Sequence, residues 1–129
     1  MPLLQPSIKT LSGFGSFTSV ITRGKKYENK PIKAFVITSP SERTELRVGF
    51  AVSRGVRKAA HRNLFKRWMR EAFRTRREEF FGHLESETLL EIVFLYNGNM
   101  KILPKKAGFA SINKAIADLS STIKFGCHS

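Results

Sequence analysis

Apolar residues recur along this chain with two different periods. Phe14, Phe17, Val20 and Ile21 fall three or four apart, the spacing that lines one face of a helix, and Gly24 stands where a helix commonly ends. A first helix is predicted from about Ser12 to Gly24. The run Ile32-Lys33-Ala34-Phe35-Val36-Ile37 reads as a strand, closed by the turn formers Ser39-Pro40-Ser41. In the next run Leu46, Val48, Phe50 and Val52 alternate with Arg47, Gly49, Ala51 and Ser53, the period of a half-buried strand. We expect these two strands to be hairpin neighbours.

After Arg54-Gly55 the period lengthens: Phe65, Trp68, Met69, Ala72 and Phe73 follow helical spacing and mark the strongest helix in the chain. Leu89 to Tyr96 is an almost wholly apolar strand. Ile112, Ala115, Ile116, Leu119 and Ile123 then line a last amphipathic helix. Residues 1–10, with two prolines and no period, read as a flexible arm. Residues 11–125 read as one domain and 126–129 as a frayed end. The order helix, strands, helix, strand, helix places the chain in the α+β class.

Composition narrows the partners. A hydrophobic fraction of 41% with eleven Phe suffices for a folded core. The 23 Lys+Arg against 10 Asp+Glu leave +13, more than solubility requires, so a polyanion is the expected partner, with nucleic acid ahead of a membrane surface. Cys127 has no intramolecular mate, which points to a reducing compartment and the cytoplasm. The N-terminus lacks the basic and apolar regions of a secretory signal, and the Leu89–Tyr96 run falls well short of the ~20 residues of a spanning helix, so no membrane role is expected.

The charge is concentrated. Between Arg54 and Arg77 stand ten Lys/Arg and a single acid, Glu71, a net +9 of the total +13. Around the strongest helix, Asn63, Lys66, Arg67, Arg70, Arg74 and Arg77 fall within an arc of about 100° opposite the apolar stripe. A merely solvated face would mix signs, whereas Lys66, Arg70 and Arg74 repel one another at i,i+4 spacing. Arginine predominates, and its planar fork matches phosphate oxygens two at a time. The pattern points to phosphate recognition.

The segments Arg47-Val48-Gly49-Phe50-Ala51-Val52-Ser53, Ala59-Ala60-His61-Arg62-Asn63 and Lys66-Arg67-Trp68-Met69-Arg70-Glu71-Ala72-Phe73-Arg74 closely resemble the signature of the bacterial ribonuclease P protein component. The resemblance covers roughly residues 8–125 and is most specific in these segments. It implies a two-layer α+β sandwich of about four strands and three helices, ordered αβββαβα, with the basic helix in a left-handed βαβ crossover. It implies a protein subunit that binds a catalytic RNA and the 5′ leader of precursor tRNA and assists removal of that leader. On this likeness Arg54, Arg57, Lys58, Arg62, Asn63, Lys66, Arg67 and Arg70 face the RNA, joined by Arg74 from the helical arc. Phe17, Ile21 and Phe35 correspond to the leader cleft. Magnesium would be held mainly by the RNA, and neither a protein-bound organic cofactor nor an obligate protein partner is implied.

The chain departs from the family pattern at three places. Leu64 replaces the second arginine of an Arg-Asn-Arg motif, with Phe65 beside it in place of an aliphatic. Ile21 stands where an aromatic is common. Gly55 replaces a loop lysine, removing a charge and adding backbone freedom. By pattern alone Phe17 and Phe35 suit a core as well as a cleft, Asn63 serves as readily as a structural hydrogen-bonder, and Arg62 lies at the seam where a stem can pack while its head donates. His61, His83, His128 and Cys127 lack metal-ligand spacing, so no metal site is expected. No nucleophile and base share a defined element, so no catalytic side chain is expected. A ribosomal or general RNA-binding protein using the same helix is the alternative reading, and an autonomous nuclease the least supported.

Overall fold

The most apolar strand takes the most enclosed position. In a computed structural model, which describes residues 7–10, 14–29, 31–42, 44–77, 79, 87–96 and 105–123, the elements are β1 (Ser7–Thr10), α1 (Phe14–Arg23), β2 (Lys25–Asn29), β3 (Ile32–Pro40), β4 (Glu45–Val52), α2 (Ala59–Thr75), β5 (Thr88–Tyr96) and α3 (Lys105–Ile123). They form one mixed sheet in the order β1-β4-β5-β3-β2. β5 is central, antiparallel to β3 and parallel to β4. A strand covered on both faces must be apolar throughout, and Ile92, Val93 and Phe94 are fully buried.

β3 and β4 are therefore not hairpin neighbours, contrary to the sequence expectation, because β5 lies between them. A local clasp guides it there: the Ser41 amide donates to the Glu87 carbonyl at 3.0 Å, and the Glu87 amide donates to Thr44 Oγ1 at 2.9 Å. The chain is thereby tied to the β3–β4 loop one residue before β5 begins. Glu87 itself is held at φ 58°, a region non-glycine residues seldom enter.

Residues 7–10, expected to be part of a flexible arm, instead form β1, parallel to β4 with Ser7 opposite Glu45 and Thr10 opposite Val48. Four residues are too few to display a period, and the open edge of β4 supplies the pairing. β1 brings the sheet to five strands. The expectations for residues 1–6 and 126–129, for His83, Cys127 and His128, and for the side chains of Phe14 and Ile123 lie outside the described residues.

The two sheet faces carry different layers. On one face Leu46, Val48, Val52, Leu90, Ile92, Phe94 and Tyr96 meet Phe65, Met69, Ala72 and Phe73 of α2 and Ile112, Ala115, Ile116 and Leu119 of α3, forming the main core. This is the expected sandwich, and each of its large side chains contributes about 1.5–3 kcal/mol on burial. Phe65 stacks on Tyr96 with ring centroids 4.2 Å apart, and burial pushes the Tyr96 phenol above its ordinary pKa. Trp68 is half-buried, edge-on to Phe65 and Phe109. On the opposite face α1 crosses the sheet, and Val20 packs with Phe35 and Val93. It leaves the end of β4 uncovered.

Candidate nucleic-acid interface

α2 begins without the usual devices. Its N-cap, Lys58, has an extended backbone and makes no side-chain capping bond, and its first turn holds no acid. The amides of that turn and the positive end of the helix dipole thus add to the nearby cations instead of being offset. Arg54, Arg57 and Lys58 on the preceding loop and Asn63, Arg67, Arg70 and Arg74 on the helix are all exposed, and Lys66 is half-buried. The apolar stripe fixes this outcome: with Phe65, Met69, Ala72 and Phe73 buried, the polar positions between them are turned away from the main core.

Of the arginines expected to face RNA, Arg62, Arg70 and Arg74 also touch their own chain. Arg70 lies over the Phe50 ring with Cζ 5.7 Å from the centroid, a cation–π contact that holds its guanidinium beside the end of β4. Arg74 donates to Glu71 Oε1 at 2.7 Å. This bond and its charge hold the Glu71 carboxyl below its ordinary pKa and raise that of Arg74. Arg62 is tied most firmly: Nη1 donates to the carbonyls of Ser53 at 3.0 Å and Val56 at 2.9 Å, and Nη2 to that of Val52 at 3.0 Å. Three of its donors are thus committed to its own chain, and the side chain also lines an adjoining groove.

Beside this surface lies a groove of about 450 Å³. Phe17, Thr18 and Ile21 of α1 form one wall. Phe50, Ala51 and Val52 of β4 and Leu95 of β5 form the floor, and Ser53, Arg54, Arg62 and Lys66 form the rim. Apolar walls under a cationic rim suit a single-stranded nucleic acid, whose bases seek apolar or aromatic surface while its phosphates follow positive charge.

Of the expected cleft residues, Phe17 and Ile21 line this groove and Phe35 does not. Phe35 sits 9% exposed beneath α1, packed with Val20 and Val93. Its register explains this, since Phe35 pairs with Val93 in the row that α1 covers, whereas Leu95 lies in the next row beside Ala51. Sequence reading missed Ala51, Ser53 and Leu95 as groove residues. The alternation of β4 had already put Ala51 and Ser53 on the face away from the main core, and small side chains there are what leave room. Arg57 and Lys58 are not among the lining residues. Among the described residues, no three metal-ligating side chains cluster and no helix is long and apolar enough to cross a membrane.

A model of the family described as Ribonuclease P matches residues 6–122. The chain belongs to the bacterial ribonuclease P protein family. The ribonuclease P protein component of Clostridioides difficile is 31% identical over 111 residues, which cover 86% of this chain and 88% of the relative. That of Desulfovibrio desulfuricans is 41% identical over 63 residues, 49% of this chain and 48% of that protein. The RNase P protein of Staphylococcus aureus has a TM-score of 0.63 at 17% identity, covering 85% of this chain and 94% of that one. The RNase P protein from Thermotoga maritima gives 0.51 at 22%, covering 80% and 86%. At such identities these structures establish the fold. As a ribonuclease P protein the chain is the accessory subunit of an endoribonuclease that matures the 5′ end of tRNA, with catalysis residing in the RNA. Membership implies association with the ribonuclease P RNA and its tRNA substrate.

Proposed function

We propose that the two surfaces divide the labour of the subunit. The loop cations Arg54, Arg57 and Lys58 and the arc Asn63, Lys66, Arg67, Arg70 and Arg74 neutralise phosphates of the catalytic RNA, and the groove between α1 and the end of β4 receives the single-stranded leader. One observation carries this reading: the groove is continuous with the basic arc, because Lys66 belongs to both. A leader leaving the active centre of an RNA docked on α2 would enter directly between Arg54 and Lys66. Magnesium for the hydrolysis is held mainly by the RNA, no second protein is required, and the work is done in the cytoplasm.

Reconstitution tests this. With the catalytic RNA at low magnesium, adding the protein is expected to restore cleavage of precursor tRNA and to tighten precursor over mature tRNA. Arg67→Ala, on an exposed side chain, is expected to lower the log–log salt slope of RNA binding by about 0.7–0.9, one phosphate contact. A protein that changes neither magnesium requirement nor precursor preference would favour a general RNA-binding role instead. Cleavage by the protein alone, freed of RNA, would indicate an autonomous nuclease.

A further inference from the structure

We propose that Arg62 is a positioning residue: its guanidinium holds the β4–α2 turn in the shape that carries Arg54 on the rim of the groove. The inference rests on the division of surfaces proposed above. The three carbonyls it bridges belong to consecutive parts of one path, the last residue of β4 (Val52), the first residue of the turn (Ser53) and the residue that leads toward α2 (Val56). Three of the five N–H donors of the guanidinium are thereby engaged.

Two backbone bonds hold its ends besides the fork: the Ser53 amide donates to the Tyr96 carbonyl at 2.9 Å and the Val56 amide donates to the Ser53 carbonyl at 3.1 Å. Gly55 contributes backbone freedom in place of a side chain, and a Cβ there would meet only Ser53 Oγ at 3.8 Å. Val56 is fully buried and anchors the far side. Between these points Arg54 projects into the groove rim, so the direction of Arg54 depends on the fork that ties Val52, Ser53 and Val56 to α2. A lysine at position 62 would keep the charge but not the planar fork that spans three acceptors. If the turn adopts the competent shape one-tenth of the time without that fork, leader binding weakens roughly tenfold.

The test uses holoenzyme reconstituted with the catalytic RNA and the variants Arg62→Lys and Arg62→Ala, with Arg67→Ala as reference. Both Arg62 variants are expected to lose roughly tenfold of the preference for precursor over mature tRNA while keeping the parent's salt slope for binding the catalytic RNA. Arg67→Ala loses about 0.7–0.9 of that slope. Amide hydrogen exchange separates local from global effects: the Val56 amide is expected to lose protection in Arg62→Lys, while Met69 and Phe94 keep theirs. A salt slope lowered as in Arg67→Ala would make Arg62 a phosphate contact and overturn the proposal. So would full precursor preference in Arg62→Lys, or equal loss of protection at Met69 and Phe94. An unchanged slope in Arg67→Ala would instead remove the underlying assignment of the basic arc, and the exchange result would still decide the clamp.

Discussion

Replacing Gly24 by alanine sets two physical effects against each other, and the structure says which wins. Gly→Ala ordinarily stabilises a compatible site by about 0.4–1 kcal/mol, because the unfolded chain loses freedom. At Gly24 the added Cβ would lie 2.5 Å from the Val20 carbonyl oxygen, 3.0 Å from the Val36 amide nitrogen and 3.2 Å from the Val36 carbonyl oxygen. All three are backbone atoms, so no rotamer change relieves the contact. The first also accepts the Gly24 amide at 2.8 Å, the bond that closes α1. Relief requires the Gly24 backbone to turn away from the Val20 carbonyl, opening the bond that closes α1, and α1 to lift from β3, loosening Val20 against Phe35 and Val93. Overpacking of this kind costs about 1–3 kcal/mol, which at the midpoints of the two ranges leaves a net loss of about 1.3 kcal/mol.

Urea unfolding followed by circular dichroism would show this as a lower midpoint with an unchanged slope. Because Phe17 and Ile21 ride on α1, the variant is also expected to bind the precursor leader less well. Equal or greater stability in Gly24→Ala would refute the close-approach argument and show that glycine is kept there for another reason.

Other consequences are equally direct. Gly55→Lys adds a side chain where the nearest atom is 3.8 Å away, so stability should stay within about 0.5 kcal/mol while the salt slope for the catalytic RNA steepens by up to about 0.9; a marked loss of stability would show the turn to be tighter than it looks. In an NMR titration Glu71 should protonate below its ordinary value of 4.5, because Arg74 donates to it. Its folded-state pKa is depressed, so the contribution of the pair is present at neutral pH and disappears as pH falls through that lowered value. A midpoint at or above 4.5 would mean the pair is not formed in solution. Glu71→Gln should release Arg74 toward the RNA and tighten binding at low salt, and weaker binding would contradict that.

The helices and the long strands were legible because burial imposes a period. The stripe of Phe65, Met69, Ala72 and Phe73 and the alternation of Leu46, Val48 and Val52 appear in the fold as the sequence pattern suggests. Pairing order was not legible: nothing local in β3 or β4 tells that β5 will lie between them. β2 was missed by periodicity because it is an edge strand in which only Tyr27 packs against the main core. The basic arc could be read from charge and helical angle alone, since exposed side chains follow the helix wheel. The groove could not, because it is built from α1, β4, β5 and α2, which meet only in three dimensions. Phe35 shows the limit of residue type as a guide, for its row in the sheet, not its aromatic ring, decides that it is core. Arg62 shows the same for charge, since three of its donors bind backbone carbonyls of its own chain.

Site-specific photocrosslinking tests the division of surfaces most directly. A photoreactive side chain at Thr18, exposed on the groove wall, and another at Asn63, exposed on the basic arc, would be placed in separate proteins and each reconstituted with catalytic RNA and precursor tRNA. The Thr18 probe should label the 5′ leader and lose its signal with mature tRNA, and the Asn63 probe should label the catalytic RNA with either substrate. Labelling of the catalytic RNA from Thr18, or of the leader from Asn63, would contradict the account.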